Sequence, residues 1–370
     1  MLLSKPCWFT ALSIALGCCV AASAAQVVTT PFLGVRLIHQ TETSPRPLNI
    51  YVVEIDLSAP GLSFQMSPGG PHPRPLGSTG LPMETIRQTT RQFANAVGAE
   101  IAINGSFYST ACSGCSHWAN NLGLTASGGE KYSPWELPSS PDFDDALNIT
   151  QQNQATIVEM AASLPTGFET NPVVPVYNAV TGSHRLIQNG SNVAPASCGF
   201  CGVNPRTAVG TTANNQLLLM TVDGRQSGFS EGVTLIELAN LMIGHGATNA
   251  INLDGGGSTT MVMNDYGDGL AAQVLNSPSD GGERSVGTNL AVFASRSGDY
   301  NGDGVVDAAD YVVWRDIGAD QSGYEAWRAN FGAAGDGIGA TLPVPEPSAM
   351  LLAALAICLF ARRGLKLAAK

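Results

Sequence analysis

Residues 252–261 read N-L-D-G-G-G-S-T-T-M, with one acid, Asp254, set immediately before three consecutive glycines and a run of hydroxyl side chains. Gly255, Gly256 and Gly257 carry no Cβ, so the backbone there can adopt positive φ and aim successive N–H groups at an anion, or let a ligand approach closely. An Asp before Gly often does no more than hydrogen-bond its own turn. Three glycines followed by Ser258, Thr259 and Thr260 exceed what a plain turn needs, and the stretch reads as the floor of a site. Two other glycine-rich chemistries are excluded. No Lys follows the glycines, as a phosphate-binding P-loop requires, and Ser258 lacks the second glycine of a G-x-S-x-G nucleophile elbow.

Other polar groups stand at comparable places. Asn104 ends the apolar run Ile101-Ala102-Ile103, where a polar amide contacts a ligand about as often as it completes a turn. Arg206, in N-P-R-T-A-V-G, and Arg225, in D-G-R, each lie at a strand edge beside a turn. A guanidinium is a planar, permanently charged fork suited to a carboxylate or phosphate, the alternative being an internal ion pair. His117, Trp118, Asn120 and Asn121 share one loop, and Trp118 has the flat face that would stack on a pyranose if it is not simply packed. Cys112 with Cys115 and Cys198 with Cys201 form two C-x-x-C pairs. In an exported chain these favour disulfides over a four-cysteine zinc site; bonds between the pairs would staple the two loops together, and spacing alone leaves the connectivity open.

The elements that must carry these groups follow from periodicity. Apolar residues alternate across 34–39 and 48–57, giving half-buried strands, and 62–66 continues after the Pro60-Gly61 turn. A loop rich in Pro and Gly spans 68–80, and a helix is predicted from Pro82 to about Gly98 with Ile86, Phe93 and Val97 on one face. Strands are expected at 101–103, 155–160, 217–222, 250–253, 262–263 and 290–293, with a Pro-, Ser- and Asp-rich insertion over 133–145. Residues 234–244 form a helix with an apolar side, Thr234 serving as N-cap and Glu237 closing a capping box. The fold class is α+β, a mixed β-sheet core with flanking helices, followed by a small helical calcium-loop module.

The net charge of −11, with Lys131 the only lysine between the two ends, excludes a nucleic-acid surface, which needs clustered basic residues. Residues 1–24 have Lys5, an apolar run and a final Ala22-Ser23-Ala24, the pattern of a cleavable secretory signal. The residues around Cys18 and Cys19 do not make a lipobox. At the other end, Pro345-Glu346-Pro347, an apolar run and Arg362, Arg363 and Lys366 resemble a PEP-CTERM sorting signal over 344–366. That resemblance implies an exosortase-type sorting partner, delivery to the cell surface or extracellular matrix, and transient inner-membrane anchoring; a plain C-terminal anchor is the alternative.

Residues 297–335 read as a separate module. Asp299, Asn301, Asp303, the Val305 carbonyl, Asp307 and Asp310 occupy positions 1, 3, 5, 7, 9 and 12 of a calcium loop, with Gly304 at 6 and Asp310 in place of the usual Glu. The loop and the following helical run resemble a dockerin-type repeat, and Tyr311-x-x-Trp314-Arg315 recurs as Tyr324-x-x-Trp327-Arg328. Only the first copy carries calcium ligands, so one Ca2+ site is expected, serving a folded spacer or a cohesin-like partner.

Taken together, A-I-N-G-S-F-Y at 102–108, P-R-T-A-V-G at 205–210, D-G-R at 223–225, the glycine stretch and E-R at 283–284 resemble the phosphodiester glycosidase family across 30–296. The resemblance implies hydrolysis of a sugar 1-phosphodiester, of the N-acetylglucosamine-1-phosphodiester type, in an envelope or extracellular polysaccharide. Such a reaction needs a cation for the phosphate, a carboxylate at the sugar and donors for its hydroxyls. By that resemblance Arg206 grips the phosphodiester, and Asp254 acts as base, nucleophile or electrostatic stabiliser. Asn104, Ser258 and the amides of Gly255, Gly256 and Gly257 position substrate, and Asp223, Arg225, Glu283 and Arg284 complete the binding set. The rival reading is a non-catalytic surface polysaccharide-binding protein that kept the fold.

Overall fold

The computed structural model describes residues 25–78, 80–135, 142–264, 271–318 and 321–332. The predicted signal, 1–24, and sorting signal, 344–366, lie outside the described residues, as does 136–141 of the predicted insertion.

The largest sheet has eight strands in the order Ala25–Phe32, Val35–Glu42, Leu48–Asp56, Gln216–Val222, Arg206–Thr212, Ala247–Asn252, Arg185–Gln188 and Ser191–Asn192. Its ladders are all antiparallel, a correction to the mixed sheet expected from sequence. The reason is connectivity. Tight turns join the neighbours Ala25–Phe32 and Val35–Glu42, and Arg206–Thr212 and Gln216–Val222, while the helical crossover after Val222 skips one strand before Ala247–Asn252 enters beside Arg206–Thr212. A six-stranded sheet runs Glu130–Ser133, Thr125–Ser127, Asn178–Gly182, Asp145–Ile149, Ala155–Met160 and Thr170–Asn171. A five-stranded sheet runs Gln273–Val274, Met261–Met263, Ile101–Asn104, Asn289–Phe293 and Ser63–Met66.

These three sheets share one core, in which Val53, Ile55, Leu219, Ile251 and Leu253 meet Ile101, Ile103, Met261 and Leu290 from the five-stranded sheet and Leu147 and Val180 from the six-stranded one. On the other face of the large sheet, helix α2 is the second of four helices among the described residues, which are α1 (Thr90–Val97), α2 (Leu235–Gly244), α3 (Ala308–Asp316) and α4 (Gln321–Asn330). It packs Leu235, Leu238 and Met242 on Ile50, Val52, Ala208 and Met220. Strand Leu48–Asp56 is therefore buried on both faces rather than one, and its Glu54 is held by Arg36 and by His245 at 3.4 Å. The protein is mostly β-sheet.

Helix α2 keeps the predicted capping box, with Thr234 accepting from the Glu237 N–H and Glu237 accepting from the Thr234 N–H. Helix α1 begins at Thr90, eight residues later than Pro82, because Thr85–Ile86 pairs with Trp118–Asn121 as a strand and Thr89 supplies the N-cap. It lays Phe93 and Ala94 over Ala102, Val262 and Ala291, and Gly98 at φ 72° ends it. Helices α3 and α4 meet through the repeated aromatics, with ring centroids 5.1 Å apart for Tyr311 and Trp327 and 5.4 Å for Trp314 and Tyr324. Among the described residues no helix is long and apolar enough to cross a membrane.

Thr234→Ala removes the side-chain acceptor at the start of α2 and is expected to lower unfolding free energy by about 1 kcal/mol in urea titration, with Thr234→Ser retaining most of the wild-type value.

Candidate active site

Strand Ala247–Asn252 leaves the large sheet through Leu253, whose N–H reaches the Thr207 carbonyl at 2.9 Å, and the Asp254 N–H then crosses to the Gly105 carbonyl at 3.0 Å. Asn104 fixes this crossing. Its amide donates to the Asp254 carbonyl at 2.7 Å and its oxygen accepts from the Thr207 hydroxyl at 2.8 Å and the Thr260 N–H at 3.0 Å. The side chain is wholly buried, so Asn104 lies beneath the site and positions the Asp254 backbone.

Each glycine of the turn admits a neighbour. A Cβ on Gly255 would stand 2.7 Å from the Pro205 carbonyl, and one on Gly256, which sits at φ +60°, would meet the Arg225 guanidinium at 3.1 Å. On Gly257 it would fall 2.2 Å from Asp280 Oδ2 and 2.3 Å from Arg284 Nη2. The glycines thus let two guanidinium groups close on the backbone beside Asp254. Arg225, exposed and itself at φ 59°, is steered by Asn204 Oδ1, which accepts from its Nε at 3.2 Å and Nη2 at 2.9 Å. Arg284, also exposed, is braced by Asp280 at 2.5 Å and donates to the Ser258 hydroxyl at 3.4 Å. Ser258 in turn hydrogen-bonds the Asp254 carboxylate.

Burial pushes Asp254 up to about 6, against the opposing pull of the Ser258 hydroxyl, the Arg284 charge and the Gly255 N–H. Tyr108 completes the surroundings. Burial and then the Asp254 charge raise its phenol above the usual value, and its hydroxyl donates to the Ser285 carbonyl at 2.9 Å. Sequence reasoning does not single out Tyr108, since a tyrosine four residues past a buried strand's last polar residue has no spacing signature; its only signal is its place at the end of A-I-N-G-S-F-Y.

The remaining sequence candidates lie around this face. Arg206 is buried, its Nε donating to the Val233 carbonyl at 3.0 Å and its Nη2 to the carbonyls of Phe200, at 2.6 Å, and Gly202. Burial, and then the Arg225 charge, draw it down to about 10, so it still contributes a full positive charge from below at neutral pH. Asp223 is a buried hub, accepting from Asn49 at 2.7 Å, Asn276 at 2.8 Å and the Ser277 N–H at 2.9 Å. Glu283 accepts the Arg91 N–H at 2.9 Å and pairs with its guanidinium at 3.0 Å, at the first turn of α1. Trp118 offers no stacking face: it is buried against Met83 and Cys115, and a Cβ on Gly70 would lie 2.3 Å from its ring.

Each C-x-x-C pair closes on itself, Cys112 with Cys115 and Cys198 with Cys201, so no bond staples the two loops and no thiolate of these pairs is left for zinc. In the 299–310 loop the acids face backbone amides. Asp299 accepts from Gly302 and Gly304 at 2.8 and 3.0 Å, Asp303 from Val305, Asp307 from Ala309, and Asp310 from Tyr300, Asn301 and Asp307 at 2.8, 3.0 and 2.8 Å. Among the described residues no group of three or more His, Cys, Asp or Glu side chains is gathered into a metal shell. The loop's donors are nonetheless all oxygen, with Asp299 and Asp310 buried, a set whose chemistry suits a hard divalent cation.

The Asp254 carboxylate thus stands at a strand end under the charge of Arg284, with Arg225 over the adjoining Gly256, on a fold of antiparallel sheets. The phosphodiester glycosidase family model covers residues 97–293, and the chain belongs to that family. Residues 343–364 match the PEP-CTERM protein-sorting motif, which marks the chain for export and implies an exosortase-type sorting partner. The N-acetylglucosamine-1-phosphodiester alpha-N-acetylglucosaminidase of Bos taurus is 30% identical over 214 residues, covering 54% of this chain and 36% of that protein. The Homo sapiens enzyme of the same name is 28% identical over 214 residues, covering 54% and 37%. The chain spans little more than a third of the length of these curated relatives. Among solved structures, the catalytic domain of the zebrafish enzyme of that name, auto-inhibited by its pro-peptide, aligns with TM-score 0.51 at 20% identity over 74% of this chain and 88% of that one. A putative exported protein of Burkholderia pseudomallei aligns with TM-score 0.51 at 15% identity over 78% of this chain and all of that one.

Gly257→Ala would drive a methyl into the Asp280–Arg284 pair. It is expected to lower hydrolytic turnover at least tenfold while unfolding free energy falls by no more than about 2 kcal/mol, because the displaced side chains are exposed.

Proposed function

We propose that the chain is an exported glycosidase that hydrolyses a sugar 1-phosphodiester of the N-acetylglucosamine-1-phosphodiester type, in envelope or extracellular polysaccharide. The observation that carries this reading is the half-buried Asp254 carboxylate under the charge of Arg284, with a second guanidinium, Arg225, over the adjoining Gly256 of the same turn. Under it, Arg225 and Arg284 bind the phosphodiester oxygens, and the buried Arg206 adds positive field from beneath. The phosphate-gripping role that the resemblance gives Arg206 thereby passes to the exposed pair. Asp254, ionised, acts on the anomeric carbon as nucleophile or on water as base, with Ser258 orienting it. Retention of anomeric configuration would make it the nucleophile, and inversion the base.

Cleavage of the anomeric C–O bond releases a phosphate monoester as a weakly basic anion, so charge stabilisation by the two arginines substitutes for the proton that a general acid gives an alkoxide. One carboxylate then suffices. Asn104 and the Gly105 carbonyl hold the Asp254 backbone, Asp223 anchors 276–277 beneath the arginine loop, and Glu283 secures that loop to α1. Residues 30–296 form the hydrolase, 297–335 a calcium-loop spacer, and 344–366 the sorting segment.

The test is release of free sugar from a panel of sugar 1-phosphodiesters by the full chain; release from none of them by folded protein would favour a surface binding protein. Asp254→Asn is expected to cut kcat by a factor of roughly 100 or more. Because the reactive form is ionised, wild-type kcat/KM should rise with pH through about 6 with the slope of one proton. The stability effect has the opposite sense. A carboxyl raised in the folded state favours the fold when protonated, so that contribution is complete below about pH 4 and is lost as pH rises through about 6. Asp254→Asn should therefore be more stable than wild type above about pH 6, by on the order of 1–2 kcal/mol, and no more stable at about pH 4.

In the 299–310 loop, Asp299, Asn301, Asp303, the Val305 carbonyl, Asp307 and Asp310 would hold Ca2+, which would supply charge neutralisation and folding energy to the spacer and no step of hydrolysis. The Trp327 indole donates to the Asp307 carbonyl at 2.6 Å, so calcium titration should change tryptophan fluorescence. Asp310→Ala should abolish that change and leave sugar release unaffected by chelator.

A further inference from the structure

Three phenylalanines and a histidine gather at one place without being sealed into the core. Phe107 lies with its ring centroid 5.5 Å from both Phe143 and Phe200, and His184 meets Phe200 edge-on at 5.2 Å. All four side chains are only partly buried. They come from four separate segments: the chain beyond strand Ile101–Asn104, residue 143 ahead of strand Asp145–Ile149, the bend between strands Asn178–Gly182 and Arg185–Gln188, and the loop closed by the Cys198–Cys201 disulfide. Folding brings three apolar rings and an imidazole from four segments together and leaves all four residues partly open to water, which burial alone would not favour.

The cluster adjoins the Asp254 site through the backbone. Gly105, two residues before Phe107, accepts the Asp254 N–H at 3.0 Å, and the His184 carbonyl accepts the Asn252 N–H at 3.1 Å. The Phe200 carbonyl accepts from Arg206 at 2.6 Å. The His184 ring is set by Asp142 at 3.4 Å. A pyranose presents a C–H face that packs on aromatic rings and hydroxyls at its rim, so an open aromatic wall attached to a carboxylate suits the sugar half of a glycosyl phosphate better than its anionic half.

We propose that Phe107, Phe143, Phe200 and His184 form the sugar-binding wall, taking the apolar face of the pyranose while Arg225 and Arg284 take the phosphate. This rests on the glycosidase reading and adds to it a specificity site for the ring. The disulfide loop holds Phe200 in the wall, and Arg206, through the Phe200 and Gly202 carbonyls, ties that loop to the catalytic strand.

The test uses the full chain, its Phe200→Ala and Phe107→Ala variants, and Phe200→Tyr as a ring-preserving control. Two readouts are taken: steady-state hydrolysis of methyl N-acetylglucosamine-1-phosphodiester, and saturation-transfer NMR with free N-acetylglucosamine. Each alanine variant is expected to raise KM about tenfold, the scale of one ring's apolar contact, with kcat within about threefold of wild type. Each should also lose saturation transfer to the free sugar, and Phe200→Tyr should keep both properties. Turnover by wild type with KM unchanged in both alanine variants would overturn the wall and leave the glycosidase reading standing. Wild type without turnover, but with sugar binding that the alanine variants lose, would overturn the glycosidase reading alone. Absence of both in wild type would overturn both. Should the alanine variants not fold, Phe107→Leu and Phe200→Leu, which keep apolar volume without the ring, carry the same expectation.

Discussion

The site depends on one buried amide. Asn104 is enclosed where the large sheet and the five-stranded sheet meet, and its three hydrogen bonds go to a strand of the first, a strand entry of the second and the crossing residue Asp254. Leaving a polar group unsatisfied in that position would cost about 1–3 kcal/mol, so the three bonds together favour this one arrangement of strand, strand entry and crossing. The crossing of the chain between sheets is thereby anchored at the seam, and Asp254 is held there through its N–H and its carbonyl.

Around the carboxylate two opposing influences are balanced. Burial raises its proton affinity, while Ser258, Arg284 and the Gly255 N–H lower it, and the outcome near about 6 leaves it ionised at neutral pH but more basic than an ordinary aspartate. Holding a charge there costs the fold some stability, a common trade at functional sites. A Cβ on Gly257 would fall on Arg284, whose charge acts on Asp254, and one on Gly256 would meet Arg225. Glycine at 256 and 257 is therefore an electrostatic device as much as a conformational one, since the missing Cβ atoms set how near the guanidinium groups can come.

Arg206 joins this electrostatic arrangement to the loop architecture. Its guanidinium is satisfied by carbonyls of Val233, Phe200 and Gly202, so a motif arginine serves to tie the disulfide loop to the strand beside Asp254. Its charge still acts across the short distance to Arg225. Asp223 plays a comparable part on the other side, where Asn49, Asn276 and Ser277 converge on one buried carboxylate and fix the segment leading to Asp280 and Arg284. Two buried charged side chains thus secure the segments around the site, while Asn204 and Asp280 orient the exposed arginines themselves.

Local features were legible in the amino-acid order. The Thr234 capping box, the strands at 48–56 and 216–222, the Asp254-glycine stretch and the family resemblance each rest on neighbours a few residues apart or on a contiguous motif. The fold class was legible in outline, as sheets with flanking helices. Packing in three dimensions settled the antiparallel order, the later start of α1, the burial of Trp118, the closure of each cysteine pair on itself, and which arginines stand exposed at the glycine turn. Arg206 and Arg225 look alike in sequence, each beside a turn, yet one is enclosed by carbonyls from residues 200, 202 and 233 and the other stands open over Gly256. A guanidinium's role is set by what surrounds it in space. Here those surroundings come from segments that only the packing of three sheets brings together.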